Sequence, residues 1–260
     1  MAHSFQILSN NLLEDYCKQI SEKDLMSYAQ LEESELSIDT FSFYTSVSAV
    51  FSSKIEGENI DLDSYVKHKR FGVEYQPNYT KKIDDLYTAY QFVKNNRLSE
   101  SNILQAHAIL TANILPAAKQ GALRVGNMYV TTTDGKIEYV AASPFIINAE
   151  LTKFYNDLAL LLNMDLSIHE VFFYAALLHL LFVKIHPFED GNGRTARLIE
   201  KWFLAEKLGD KVWLIQSEKN YYTHHQLYYN NIRELGLEYD ELDYNKALPF
   251  LEMLAKAVII

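Results

Sequence analysis

Hydrophobic residues recur at helical spacing along most of the chain. The runs 7–20, 41–55 and 83–93 carry apolar residues three and four positions apart, with Ile83, Leu86, Tyr87 and Tyr90 on one stripe of the third. Ser99 is placed to cap a helix that runs through His107 to Leu115 and stops ahead of Pro116. Beyond Pro144 the spacing predicts helices over 148–162, 168–185, 192–208, 221–235 and 248–257, the last with Pro249 in its first turn. One stretch breaks the pattern. Residues 128–133 and 136–140 read as strands around Asp134-Gly135, a pair that accepts the positive φ angles of a type I′ turn, and this predicts a β-hairpin. Two strands alone are marginal in water, so the hairpin must lean on a helical body. The pattern predicts an all-α helical bundle with one small hairpin.

Composition sharpens this picture. Only 9 glycines and 5 prolines interrupt 260 residues, as long uninterrupted helices require. A hydrophobic share of 48% with 22% charged residues is that of an ordinary globule and excludes general disorder. The net charge of −10 argues against a phosphate-tracking nucleic-acid binder. Cys17 is the single cysteine, so an internal disulfide and a four-cysteine zinc site are excluded. The most apolar run, 171–183, is interrupted by His179 and closed by Lys184, short of the roughly 20 residues a bilayer needs. It reads as a buried central helix with no membrane partner, and His179 as a core histidine. Residues 1–9 lack a basic patch followed by an apolar run, which makes a cytoplasmic location the expectation. The acidic stretch 32–37 reads as a solvated connection, and His224-His225 as a polar helix face.

The chemistry concentrates in His186-Pro-Phe-Glu-Asp-Gly-Asn-Gly-Arg-Thr-Ala-Arg197. Pro187 stops the apolar helix, so His186 sits at a helix end. Gly191 and Gly193 flank Asn192 where the next helix begins, and backbone N–H groups there can converge on an anion. Arg194 and Arg197, one turn apart, can reach the same side. Two cations at a helix N-terminus oppose the macrodipole unless an anion is bound. Asp190 beside them is a hard oxygen donor suited to Mg²⁺. A neutral His186 could accept a proton from an attacking hydroxyl.

The whole string resembles the Fic signature HPFxDGNGRxxR, with every specified position matched. The resemblance extends to Gly121-Ala-Leu-Arg124, similar to the family's Gly-x-x-Arg segment, to 134–143, similar to its β-hairpin flap, and to Tyr221-Tyr222, where relatives carry a tyrosine pair near the adenine. It covers roughly residues 100–235. It implies a Fic fold and transfer of a nucleoside monophosphate, usually AMP from ATP, to a protein hydroxyl. His186 would be the general base and Phe188 the core anchor. Asp190 would hold Mg²⁺. Gly191, Asn192 and Gly193 would form the anion hole, with the Asn192 side chain on a phosphate. Arg194 and Arg197 would bind the β- and γ-phosphates. Tyr222 would stack on the base, and Asn230, or Asn231 beside it, would contact the adenine. The flap, about 127–143, would add a target segment as a strand through Ile137, Glu138, Tyr139 and Val140.

Ser52-Ser-Lys-Ile-Glu56-Gly57 resembles the family's inhibitory pattern [S/T]xxxE[G/N]. Ser52 and Glu56 share a helix face, and Gly57 suits the helix end. The resemblance implies that Glu56 pairs with Arg197 in the γ-phosphate place. The expected organisation is an N-terminal helical region, 1–98, holding the inhibitory helix of about 41–57, packed as one unit with a Fic core of 99–260. The expected activity is an autoinhibited protein adenylyltransferase with Mg²⁺ and ATP. The alternatives are a de-AMPylating phosphodiesterase, a transferase using UTP or GTP, and a non-catalytic regulatory or toxin-like binding module. A homodimer that holds the inhibitory helix in place is compatible with the chain.

Overall fold

The computed structural model describes residues 5–38, 42–73, 75–131 and 137–258. Two short helices open the chain, α1 (Leu13–Gln19) and α2 (Glu22–Met26). The predicted run 7–20 becomes helical only at Leu13. Upstream, the backbone N–H groups of Gln6, Ile7 and Leu8 donate to the buried Asp157 carboxylate at 2.8 to 3.0 Å, which holds that segment out of a helix.

Next come α3 (Phe43–Ile55), α4 (Leu62–Phe71), α5 (Pro77–Lys94) and α6 (Glu100–Leu110). Ser42 Oγ caps α3 and Ser99 Oγ caps α6, each accepting from the backbone three residues on. Helix α6 stops before the expected Leu115, its end turned at Thr111, whose hydroxyl donates back to the His107 carbonyl. Helix α4 was not predicted. Tyr65 is its buried residue, so its apolar stripe is too thin to read from periodicity.

Strands β1 (Tyr129–Thr131) and β2 (Ile137–Val140) pair antiparallel, with Val130 opposite Tyr139 and an irregularity at Thr131. The Asp134-Gly135 turn lies outside the described residues. Then follow α7 (Ile147–Asn163), α8 (Ile168–Ile185), α9 (Asn192–Leu208), α10 (Ser217–Thr223), α11 (His225–Arg233) and α12 (Leu248–Lys256). The predicted single helix over 221–235 is interrupted at His224, whose ψ of 38° leaves the helical range.

Helix α8 is the centre. Every residue from 171 to 185 is buried, and α1, α2, α7, α9 and α12 pack around it. By length and composition it is long and apolar enough to cross a membrane, yet 83% of that window lies inside the fold. A Ser167–Glu170 capping box starts it, and His186 ends it in the left-handed region at φ 52°. Helix α3 is enclosed as well, between α5, α9 and α10. One continuous cluster of buried residues joins the N-terminal helices to the rest.

Candidate active site

The site forms where α8 ends, α9 begins and the end of α3 arrives. The turn 186–191 between α8 and α9 is held from several directions. Phe188 is buried and stacks on His107 of α6, ring centroids 3.6 Å apart. Gly121 N–H donates to His107 Nδ1, so Nε2 carries the hydrogen and donates to the Asp190 carbonyl at 2.9 Å. Arg124, also buried, donates Nε to the His186 carbonyl at 2.7 Å and its other nitrogens to the Gly126 and Ala142 carbonyls. That one guanidinium ties both ends of the hairpin to the turn 186–191.

Asn192, expected on a phosphate, is engaged with the turn itself. Its Oδ1 accepts from Phe188 N–H and its Nδ2 donates to the Phe188 carbonyl, both at 2.9 Å, so the carboxamide braces the turn instead of reaching outward. Gly191 is required sterically, and Gly193 leaves room for Glu56. Gly191 has φ 79°, and a Cβ there would lie 2.7 Å from Thr111. A Cβ on Gly193 would lie 2.6 Å from Glu56 Oε1.

Glu56 therefore sits against the N-terminus of α9, which has no side-chain cap. Its Oε1 accepts from Arg197 Nη2 at 2.6 Å. Ser52 completes the grip, its Oγ accepting from Arg197 Nε at 2.8 Å and its carbonyl from Nη2 at 3.1 Å. Burial alone would raise the Glu56 pKa, but Arg197 and Arg194 outweigh it and hold the carboxyl below the usual range. Behind Arg197, Tyr228 accepts from Nη1 at 3.3 Å and contacts His179 Nε2, while His179 Nδ1 faces Glu200 at 2.6 Å. His179 is the core histidine predicted, but its network supports Arg197.

Arg194 is less well partnered. Its Nη2 lies 3.3 Å from Glu58, whose own pKa burial raises, and its Nε and Nη1 are buried without a protein partner. Unpaired buried guanidinium N–H groups at a helix N-terminus are what an anion site would present. Glu58, His107 and Tyr228 were not singled out in the sequence. Only Glu58 left a signal there, as the second acid of Glu56-Gly-Glu58.

His186 Nδ1 lies 3.3 Å from the Val183 carbonyl, which can only accept, so the contact is a hydrogen bond when Nδ1 carries the hydrogen and Nε2 is the unprotonated nitrogen. Burial, the largest influence, pushes the His186 pKa down to about 4 and keeps the ring neutral. Asp190 Oδ1 accepts from Gly191 N–H at 2.5 Å, which leaves Oδ2 for a ligand. Among the described residues no three His, Cys, Asp or Glu side chains cluster as metal ligands. A cation here would share one carboxylate with oxygens from a substrate, a donor set that suits Mg²⁺.

The hairpin residues part company. Ile137 is about half exposed. Glu138 turns in to a two-pronged ion pair with Arg233. Tyr139 is buried, and Val140 N–H donates to the Leu237 carbonyl at 2.8 Å. Of the four expected target contacts, only Ile137 presents a side chain well out to solvent. Tyr222 packs on Phe51 and beneath Lys54 at the end of α3, and Asn230 accepts from Gln226 on α11.

This geometry has known counterparts. Residues 97–204, which span α6, the hairpin, α7, α8 and the turn 186–191, match the model of the Fic/DOC family. This segment is a Fic/DOC domain. The fold is shared across nearly the whole chain. A Fic family protein from Desulfovibrio desulfuricans G20 aligns with a TM-score of 0.76 at 18% identity, over 99% of this chain and 74% of that one. A Fic domain containing signaling protein from Bacteroides thetaiotaomicron VPI-5482 gives 0.65 at 21% identity, over 96% and 93%. Fic-1 from C. elegans, residues 134–508, gives 0.69 at 17% identity, over 95% and 70%. No curated protein matches the sequence. The Fic/DOC match ends before Tyr222 and Asn230 and begins after Glu56, so those positions stand on the geometry alone.

Proposed function

We propose that the chain is an autoinhibited protein adenylyltransferase that moves AMP from ATP to a Ser, Thr or Tyr hydroxyl of a target protein. The observation that carries this reading is the Glu56 carboxylate, seated on Arg197 and against Gly193 at the uncapped start of α9. A carboxylate there occupies an anion place built from a helix N-terminus and two arginines.

In the active state the triphosphate takes that place. Arg197, released from Glu56, and Arg194, with its unpaired N–H groups, hold the β- and γ-phosphates, and the α9 N-terminus faces the chain of phosphates. His186 Nε2 accepts the proton of the target hydroxyl. The hydroxyl oxygen bonds to the α-phosphorus as the bond to the β-phosphate oxygen breaks, and pyrophosphate leaves. Asp190 would hold Mg²⁺, which would neutralise charge on the phosphates when bound. The target lies along the hairpin at Ile137, Tyr222 and Asn230 border the base, and the protein works in the cytoplasm. A homodimer is compatible with this scheme.

The test is labelled ATP with the purified full chain and a cell lysate. Glu56→Gly should raise label transfer at least about tenfold, a loss of inhibition of the size a charge-assisted bond supports. His186→Ala in the same background should abolish it. A Glu56→Gly protein inert with ATP, GTP and UTP would leave the non-catalytic binding module as the better description.

A further inference from the structure

Tyr139 lies on β2, in the hairpin expected to take a target segment as an added strand. Its side chain is 2% exposed, and its hydroxyl reaches through to the catalytic histidine. We infer that Tyr139 is a positioning residue for His186, holding the imidazole in the tautomer that leaves Nε2 free as the base. The inference rests on the transferase reading for its consequence, but its geometry stands without it.

The hydrogen-bond directions admit one assignment. Tyr139 Oη lies 3.1 Å from the Val183 carbonyl and 3.2 Å from His186 Nδ1. The carbonyl can only accept, so the tyrosine O–H donates to it. The tyrosine oxygen is then left as an acceptor for the hydrogen on Nδ1. Val183 also faces Nδ1, at 3.3 Å, a long contact for an N–H donor, so the tyrosine is the nearer of two shared acceptors. The reverse tautomer would put the Nδ1 lone pair against the Val183 carbonyl oxygen, and it would turn the tyrosine proton away from that carbonyl.

The ring is fixed on its other side. The Lys184 ammonium lies 4.4 Å from the Tyr139 ring centroid while donating to the Gly236 carbonyl at 3.3 Å. On β2 the flanking residues are also held, Glu138 by Arg233 and Val140 by Leu237. The hairpin strand that would meet a target is thus wired to the proton acceptor through one hydroxyl. A target that shifts β2 would move the group that sets the state of the base.

The test uses the full chain. Selective ¹⁵N-histidine labelling, with His186 assigned by comparison with His186→Gln, reads the tautomer directly by long-range ¹H–¹⁵N correlation. The parent should show His186 hydrogen on Nδ1, and Tyr139→Phe should convert it to a mixture with the Nε2-protonated form. Tyr139→Phe keeps the ring, its burial and the Lys184 contact. In the Glu56→Gly background it should lower kcat about tenfold and leave the KM for ATP within about twofold. An Nε2-protonated parent, an unchanged tautomer in Tyr139→Phe, or an equal loss through KM would each overturn the inference. If the Glu56→Gly protein transfers nothing, the function proposed above fails, while the tautomer measurement still decides this one.

Discussion

At the scale of single residues, the electrostatics of Glu56 and His186 set how the site responds to acid. Burial alone would raise the Glu56 pKa, but Arg197 and Arg194 hold it below the ordinary carboxylate range. A carboxyl depressed in the folded state keeps its ion pair at every pH above its unfolded pKa, and loses it only as pH falls through the folded value. His186 is depressed too, to about 4, so it stays neutral and competent as a base until that pH. Mild acid should therefore neither open the gate nor disable the base. From neutral to about pH 5 the parent should show no acid activation, and kcat/KM of Glu56→Gly should stay level before falling toward the His186 value. An acid limb near the ordinary histidine range, or activation of the parent at mildly acid pH, would contradict this. The motif residues were legible in the sequence because their chemistry is local: a helix stop, a pair of glycines, arginines one turn apart. What the sequence could not supply is the far end of each long-range bond. Glu58 on Arg194, His107 under Phe188 and Tyr228 behind Arg197 are joined by the fold alone. For the same reason the inward contacts of the Asn192, Glu138 and Tyr139 side chains are visible only in the fold.

At the scale of elements, α3 is built to stay. Nearly every residue from Thr45 to Ile55 is buried, and Ser48 sits in a closed polar knot. Lys201 donates to Ser48 Oγ at 2.7 Å, to Glu218 at 2.6 Å and to the Ile215 carbonyl at 2.8 Å, and Tyr90 donates to the other Glu218 oxygen. Departure of the helix would strand this buried ion pair. On the function proposed above, release would act on the last turn, where Gly57 at φ 94° follows Glu56 and has open space around it. Amide hydrogen exchange should show the α3 amides of residues 46–53 protected equally with and without ATP in the parent and in Glu56→Gly. Lys201→Ala should lower global stability by about 3 kcal/mol in urea unfolding, since removing one partner leaves Glu218 buried and unpaired. Rapid exchange along α3 on adding ATP would show instead that the whole helix leaves. Helices α8 and α9 were fully legible because α8 opens on a capping box and stops before Pro187, while α9 lies between Gly191 and Gly209. Helix α4 was not, because it buries little, and the break at His224 has no glycine or proline to announce it.

At the scale of the whole molecule, the −10 charge and the anion site are reconciled by placement. Arg194 and Arg197 stand at the seam between the N-terminal helices and the Fic/DOC segment, so on the function proposed above Glu56 and phosphate would contend for them inside an acidic globule. The seam is closed elsewhere by a buried carboxylate remote from the site. Asp157 on α7 is fully buried and accepts the backbone N–H groups of Gln6, Ile7 and Leu8, residues about 150 positions away in the chain. Its loss would leave three N–H groups without their acceptor in a segment packed on the core. Asp157→Ala should therefore cost about 3 kcal/mol of global stability, read by urea unfolding, the expected size for a buried charge-assisted cluster that loses its acceptor. In the Glu56→Gly background the same change should leave the transfer rate per folded molecule unaltered, because Asp157 touches none of the site residues. Equal loss of stability and of rate would mean that the N-terminal segment is coupled to the catalytic turn, and that the seam transmits strain as well as holding the two regions together.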